Sequence, residues 1–361
     1  MNRKPPPAPP RRPPRAKAPR AAGGRRNSRA SDAVTLEDVA KIAGVSPITV
    51  SRVVNRPEIV HPDTVAHVQR IIARTGYVPN LLAGGLASRR SRLVAALVPT
   101  VVNSIFVDTI QSLTDTLWAA RYQVVLGMTG YAGHDAREEA LVTAILSRRP
   151  DAVFIVGVHH TPEARRRLLA ARIPIVEAWD LTSSPIDMVV GFSHERLGSA
   201  VGDYLVKKGY RRIASVWADD ERALRRRTGL LESLARHGLA EAGASVVPAP
   251  STLRAGRQAF SALLARGATP DAVVCSSDAF AHGVLAECQF RGVAVPGQLA
   301  VLGFGDLEFA AETVPALSSV RIDRHGIGRI AAEALLARIE GKAVPQKVVD
   351  VGFEIVERET T

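Results

Sequence analysis

Side chains able to carry covalent or metal chemistry are few and scattered in this chain. Its two cysteines, Cys275 and Cys288, form no Cys-x-x-Cys pair, which reads as reduced core thiols rather than a redox or zinc motif. His159 and His160 are adjacent but lack the further ligands that a zinc site needs, so they read as loop surface and no metal is expected. There is no Walker loop, HExxH or GxSxG. Gly303-Phe-Gly305 lacks the third glycine and following helix of a nucleotide fingerprint. These readings point away from an enzyme and from a bound cofactor.

Guanidinium chemistry is more plentiful. The 361 residues carry a formal charge of +12, and residues 1–30 hold ten Lys or Arg and no acid, leaving +2 for the remainder. This Pro- and Ala-rich stretch has no aromatic or β-branched residue, so a disordered basic arm is expected. It can meet phosphates without reading sequence, or be a solvated tail. No apolar h-region follows it, so it is not a secretory signal. No apolar run approaches the roughly 18–20 residues of a membrane span. A cytoplasmic protein with no membrane partner is the expectation.

The elements that follow divide into a helical headpiece over 31–76, a hinge helix or linker over 77–91, and a two-lobed α/β domain over 92–361. Thr35 can cap a first helix whose Leu36, Val39, Ala40 and Ala43 share one face, and Gly44 can supply its terminal turn. Ser46 caps a second helix with Pro47 at its first position. Val50, Val53 and Val54 then face inward, leaving Pro47, Ile48, Thr49, Ser51, Arg52 and Asn55 outside. A third helix follows Pro62 with Val65, Val68 and Ile72 apolar. Three short helices with a glycine turn between the first two suit DNA binding.

Beyond Leu93, strand-sized apolar runs alternate with helical stretches: Leu93–Val98, Gln123–Leu126, Ala152–Val156, Ile173–Val176, Met188–Phe192, Arg212–Val216, Ala272–Cys275 and Leu299–Phe304. That alternation predicts parallel sheets with crossover helices, and the break near Gly191–Gly198 predicts two similar lobes.

The stretch Val34-Thr-Leu-Glu-Asp-Val-Ala-Lys-Ile-Ala-Gly-Val-Ser-Pro-Ile-Thr-Val-Ser-Arg-Val-Val-Asn55, with Gly76-Tyr-Val-Pro-Asn80, resembles the lactose/galactose-repressor (LacI/GalR) family. The resemblance implies a helix-turn-helix headpiece joined to a periplasmic-binding-protein-like effector domain. Its DNA-contacting positions fall on Thr35, Ser46, Pro47, Ile48, Thr49, Ser51, Arg52, Asn55 and Asn80. Arg52 would address guanine O6/N7 or clamp a phosphate. Pro47 and Ile48 lack hydrogen-bonding side chains, so reading there would be apolar. The connector resembles a hinge helix in which Leu86, beside Ala83, wedges into the minor groove; packing between domains is the alternative for Leu86.

In the effector domain the resemblance places ligand contacts at Phe106, Arg226, Asp278 and the Asp306 loop, with Glu177 and Asp180 also near the cleft. Each has a plainer reading: Phe106 as core, Arg225-Arg-Arg227 as a solvated face, and Asp278 as a helix cap. The segments His160-Thr-Pro162, Ile173-Pro-Ile-Val-Glu-Ala-Trp-Asp180, Val190-Gly-Phe192, Glu287-Cys-Gln289 and Leu335-Leu-Ala-Arg-Ile-Glu-Gly341 are similar to the gluconate-utilisation repressors. The resemblance implies a homodimeric repressor, with a tetramer the alternative, that binds palindromic double-stranded operator DNA. Gluconate, a ketogluconate or a similar sugar acid would release it. The other readings are a regulator of another sugar or a purine, acting as repressor or activator, and a sugar-binding transport protein.

Overall fold

The computed structural model describes residues 34–79, 90–102, 104–131 and 135–361, and the chain divides into two compact units, Met1–Ala87 and Ser88–Thr361. The basic arm and the connector residues Asn80, Ala83 and Leu86 lie outside the described residues.

Local rules build the first unit. Helix α1 (Leu36–Ala43) opens on a capping box: Thr35 Oγ1 accepts from the Asp38 N–H at 3.2 Å, and Asp38 Oδ2 accepts from the Thr35 N–H at 2.9 Å. It ends at Gly44, whose φ of +65° is left-handed and therefore suits a residue without Cβ. Helix α2 (Pro47–Asn55) is capped by Ser46 Oγ, which accepts from the Thr49 N–H at 3.2 Å. Helix α3 (Pro62–Thr75) lies across both, and His67 Nε2 reaches the Ala43 carbonyl at 3.2 Å, satisfying an oxygen at the end of α1. Val39, Ala40, Ala43, Val50, Val53, Val68, Ile71 and Tyr77 form the core. Val54, expected inside, is half-buried, and Ile71 takes a core place that the sequence reading gave to Ile72.

The second unit holds two six-stranded sheets. One contains β1 (Leu93–Val98), β2 (Gln123–Met128), β3 (Ala152–Val156), β4 (Ile175–Ala178), β5 (Met188–Gly191) and β11 (Val348–Asp350), all parallel in the order β11-β5-β4-β3-β1-β2. The other contains β6 (Ile213–Asp219), β7 (Ala244–Pro248), β8 (Ala272–Cys275), β9 (Ala300–Gly305), β10 (Ser318–Arg321) and β12 (Glu354–Val356), in the order β12-β10-β9-β8-β6-β7. Only β12 runs antiparallel, against β10. Strands such as Ala152–Val156 are buried along their whole length, as parallel strands covered on both faces must be.

Helices α4 (Val107–Ala119), α5 (Asp135–Leu146), α6 (Pro162–Ala171) and α11 (Arg324–Ile339) belong to the first lobe, with α4 packed on α11. In the second lobe, α7 (His194–Lys207) packs on α8 (Glu221–Arg236), and α9 (Leu253–Ala265) packs on α10 (Asp278–Arg291). The chain passes between lobes three times, after β5, β10 and β11. The first crossing coincides with the expected break near Gly191. Strands β7, β10, β11 and β12 were not among the expected apolar runs. No described helix is long and apolar enough to cross a membrane.

Candidate functional site

Parallel strands end where the following helices begin, and that junction faces the space between the lobes. Helices α7, α8 and α10 start there under side-chain caps from Ser193, Asp220 and Ser277. Asp278 is the first residue of α10 rather than its cap. An inner cavity, open to solvent, is lined by Phe106, Tyr131, Trp179, His194, Arg222, Arg226, Ser276 and Phe304 among others. Tyr131, Asp220 and Arg222 also line an outer, wider cavity beside His159, His160, Asp180 and Glu221.

Arg226 is the central group. It sits on the inward face of α8 with Ala223, Gly229, Leu230 and Leu234, and is only 6% exposed. Its NH1 donates to His194 Nδ1 at 3.1 Å and its NH2 to the Ser276 carbonyl at 3.2 Å, while Nε finds no partner. The guanidinium lies 3.9 Å from the Phe304 ring centroid. Burial pulls its pKa down to about 10, so the cation persists at neutral pH. A buried cation with no carboxylate bonded to it and a free N–H is poised for an anion.

His194 cannot supply that anion site with a second charge. Burial and the nearby guanidiniums hold its pKa well below the usual imidazole value, and it is neutral. Nε2 donates to the Trp179 carbonyl at 2.9 Å, which leaves Nδ1 as the acceptor for Arg226. Trp179 has a φ of +69°, a strained conformation for a side chain of that size. Three bonds hold it: its N–H to the Val190 carbonyl, its carbonyl to His194, and Nε1 to Thr109 Oγ1 at 3.2 Å. Its ring meets Phe106 edge-on at 5.0 Å, giving the cavity an aromatic wall.

The other expected contacts are placed differently. Asp278 is fully buried, with Oδ1 accepting from Ser319 Oγ at 2.6 Å and Oδ2 from the Leu307 N–H at 2.7 Å. Burial outweighs those bonds and lifts its pKa to about 6. Asp306 turns away to Arg321 and Arg358, both at 2.7 Å. Glu177 is 0% exposed and accepts from the Ile186 N–H at 2.6 Å, with His160 3.3 Å away. His160 is not loop surface. Its side chain is 2% exposed and lies 2.8 Å from Glu138. Burial opposes its charge, but the two glutamates prevail and raise its pKa to about 9. Asp180 pairs with Arg225 at 2.6 Å across the lobes, and His159 Nε2 approaches Glu221 at 2.9 Å. Among the described residues no His, Cys, Asp or Glu cluster converges as metal ligands would.

His194, Trp179, Arg222 and Phe304 were not singled out from sequence. The helical period could have found the odd position of Arg226, since Ala223, Leu230 and Leu234 mark its face as buried.

On the headpiece, the outer face of α2 presents Pro47, Ile48, Arg52 and Asn55. Ile48 is 65% exposed. Asn55 folds back, donating from Nδ2 to the Ser51 carbonyl at 2.9 Å, and Thr49 Oγ1 shares a hydrogen bond with Ser46 Oγ at 2.9 Å. Thr35 is engaged with Asp38. Residues 34–79 carry five Lys or Arg against four Asp or Glu, so the headpiece as a whole is close to neutral.

Residues 35–80 match the bacterial regulatory proteins of the lacI family, and residues 202–361 match the periplasmic binding protein-like domain. The chain is 39% identical over 338 residues to the HTH-type transcriptional regulator GntR of Pseudomonas aeruginosa, an alignment spanning 93% of this chain and 98% of that one. A crystal structure of a LacI family transcriptional regulator from Silicibacter pomeroyi superimposes with a TM-score of 0.85 at 34% identity, over 91% of this chain and 99% of that one. The lac repressor dimer bound to operator and the anti-inducer ONPF gives 0.79 at 25% identity, over 91% and 99%.

Proposed function

The chain belongs to the LacI family of bacterial regulatory proteins, a DNA-binding transcriptional regulator, and from that premise we propose that it is a dimeric repressor released from a palindromic operator by a sugar acid of the gluconate type. The observation that carries the effector reading is Arg226, a buried guanidinium with an unpartnered Nε and no bonded carboxylate, which lines an aromatic-walled cavity. Such a group grips a carboxylate, while the hydroxyl-bearing Ser251, Ser276 and Ser277 in the same lining suit a polyol chain. Similarity to the lac repressor dimer on its operator supports the two-headed arrangement, in which two α2 helices read two half-sites. Closure of the lobes on the acid would bias the two-lobed domain toward a state that holds DNA less well.

Selection from a random DNA pool is the direct test. An inverted repeat should be enriched, and gluconate or a ketogluconate should dissociate the complex. No enrichment over bulk DNA, or a complex indifferent to every sugar acid tried, would sink the reading.

Arg52→Ala is expected to weaken binding to the selected site by about 1–3 kcal/mol, roughly 5- to 150-fold. Competition between single-base variants of the site separates its two roles. Relaxed choice at one base pair means base reading, and a uniform loss means phosphate binding. With a near-neutral headpiece, phosphate attraction by the basic arm is the reading to test against a solvated tail. Deleting residues 1–30 should therefore flatten the plot of log affinity against log salt, by about 0.9 for each phosphate that the arm had neutralised. An unchanged slope would leave the arm a solvated tail.

A further inference from the structure

Among the described residues, Arg222 is a cleft guanidinium that the sugar-acid reading leaves unused. It lies four residues before Arg226 on α8, so both side chains project from one stretch of helix toward the same space. It lines the inner and the outer cavity at their junction. Its guanidinium carbon stands 5.5 Å from the centroid of Phe106, across the cleft in the other lobe. Opposite it is Gly157, close enough that a Cβ built there would sit in van der Waals contact with the Arg222 guanidinium, at 3.5 Å.

The acids around it are committed elsewhere. Asp180 is bonded to Arg225 and to the Leu181 N–H. Asp220 caps α8 through the Ala223 N–H at 3.0 Å. Glu221 faces His159, and Glu138 holds His160 and the Thr161 N–H. No hydrogen bond or ion pair joins Arg222 to another described residue. Two guanidiniums thus face one cavity, each without a bonded carboxylate; Asp220 and Asp180 attract Arg226 through space, Arg222 repels it, and Asp180 also feels Arg222. A singly charged ligand on Arg226 would leave Arg222 in a closing cleft without an anion hydrogen-bonded to it.

We propose that the cleft takes a doubly anionic effector, a sugar acid carrying a second acidic group, and that Arg222 receives that second group at the junction of the two cavities. The inference rests on the sugar-acid reading and deepens it. Arg226 holds one carboxylate against Phe304 at the inner end. The polyol chain runs past Trp179 and Tyr131, and the second anion meets Arg222 near Phe106. Because Arg222 comes from one lobe while Phe106 and Gly157 come from the other, an anion on Arg222 is bound at the closing seam.

Calorimetric titration of the full chain with glucitol, gluconate, glucarate and 6-phosphogluconate varies the acid count on one six-carbon backbone. At least one of the two diacids should bind about tenfold tighter than gluconate, and glucarate against 6-phosphogluconate, whose phosphate brings a charge of about −1.5 to −2, tells a second carboxylate from a phosphate. Arg222→Gln should erase that advantage, while Arg222→Lys, which keeps the charge, should retain most of it. Gluconate binding as tightly as both diacids would overturn the proposal and leave the sugar-acid reading standing. Equal loss in the Gln and Lys variants would assign the effect to stacking on Phe106 and overturn the anion-receiving role. If none of the three acids binds, the sugar-acid reading itself fails and this inference falls with it.

Discussion

Arg226→Gln is expected to lower affinity for the sugar acid by about 30-fold or more, because a charge-assisted contact in a buried site costs about 2–5 kcal/mol to remove. The loss is large for a structural reason. Arg226 is nearly inaccessible, so water cannot replace the guanidinium as the carboxylate's partner. Its neighbour His194 is neutral and cannot substitute as a cation. Arg225 is tied to Asp180 and Glu195, which fixes its guanidinium elsewhere. A thermal-shift titration gives an independent reading. A ligand at 100 times its Kd stabilises the native state by about 2.7 kcal/mol, and that ligand-dependent rise in Tm should vanish in the variant. Retention of the wild-type Kd within about threefold would remove Arg226 from the site.

Gly198→Ala should be strongly destabilising. Helices α7 and α8 cross at Gly198 and Gly229. A Cβ on Gly198 would stand 2.8 Å from the Arg226 carbonyl carbon and 2.9 Å from the Leu230 nitrogen, with the Arg226 carbonyl oxygen nearer still. The obstruction is backbone, which has no rotamer to change, so the helices must separate. Overpacking of this kind costs about 3 kcal/mol, and Tm should fall by about 6 °C or more. Because the obstructed carbonyl belongs to Arg226, effector affinity should drop as well. Gly297→Ala is the control: its Cβ would meet only Ala294 Cβ, at 3.8 Å, and a change within about 0.5 kcal/mol is expected. A Gly198→Ala protein melting within about 1 °C of wild type would show that the crossing is looser than these distances imply.

The strands that escaped the sequence reading show where its signal ends. Strand β10 begins Ser318-Ser319, which reads as polar, yet both residues are fully buried. Ser319 Oγ donates to Asp278 and accepts from the Asp306 N–H, and Ser318 Oγ accepts from the Arg358 N–H at 2.8 Å. A search for apolar runs passes over a strand whose hydroxyls are satisfied by partners distant in sequence. Strands β7, β11 and β12 lie at sheet edges, where one side is open and the apolar signal is weak. His160 was read as surface for a related reason: Glu138 and Glu177 offset the cost of its burial.

The headpiece was legible because its determinants are local. Caps at Thr35 and Ser46, the turn at Gly44 and the helical period of Val39, Ala40, Ala43, Val50 and Val53 act within a few residues of one another. The alternation of buried strands and helices was legible for the same reason. The sequence alone therefore determined a DNA-reading headpiece followed by an α/β domain of two lobes. Tertiary structure decided the cleft, since Phe106, Trp179, His194, Arg222, Arg226, Ser276 and Phe304 meet only after two sheets have folded and the chain has passed between them. It also decided which charges are free: Arg225 and Arg226 are neighbours of identical type, and only folding gives one a carboxylate and leaves the other without.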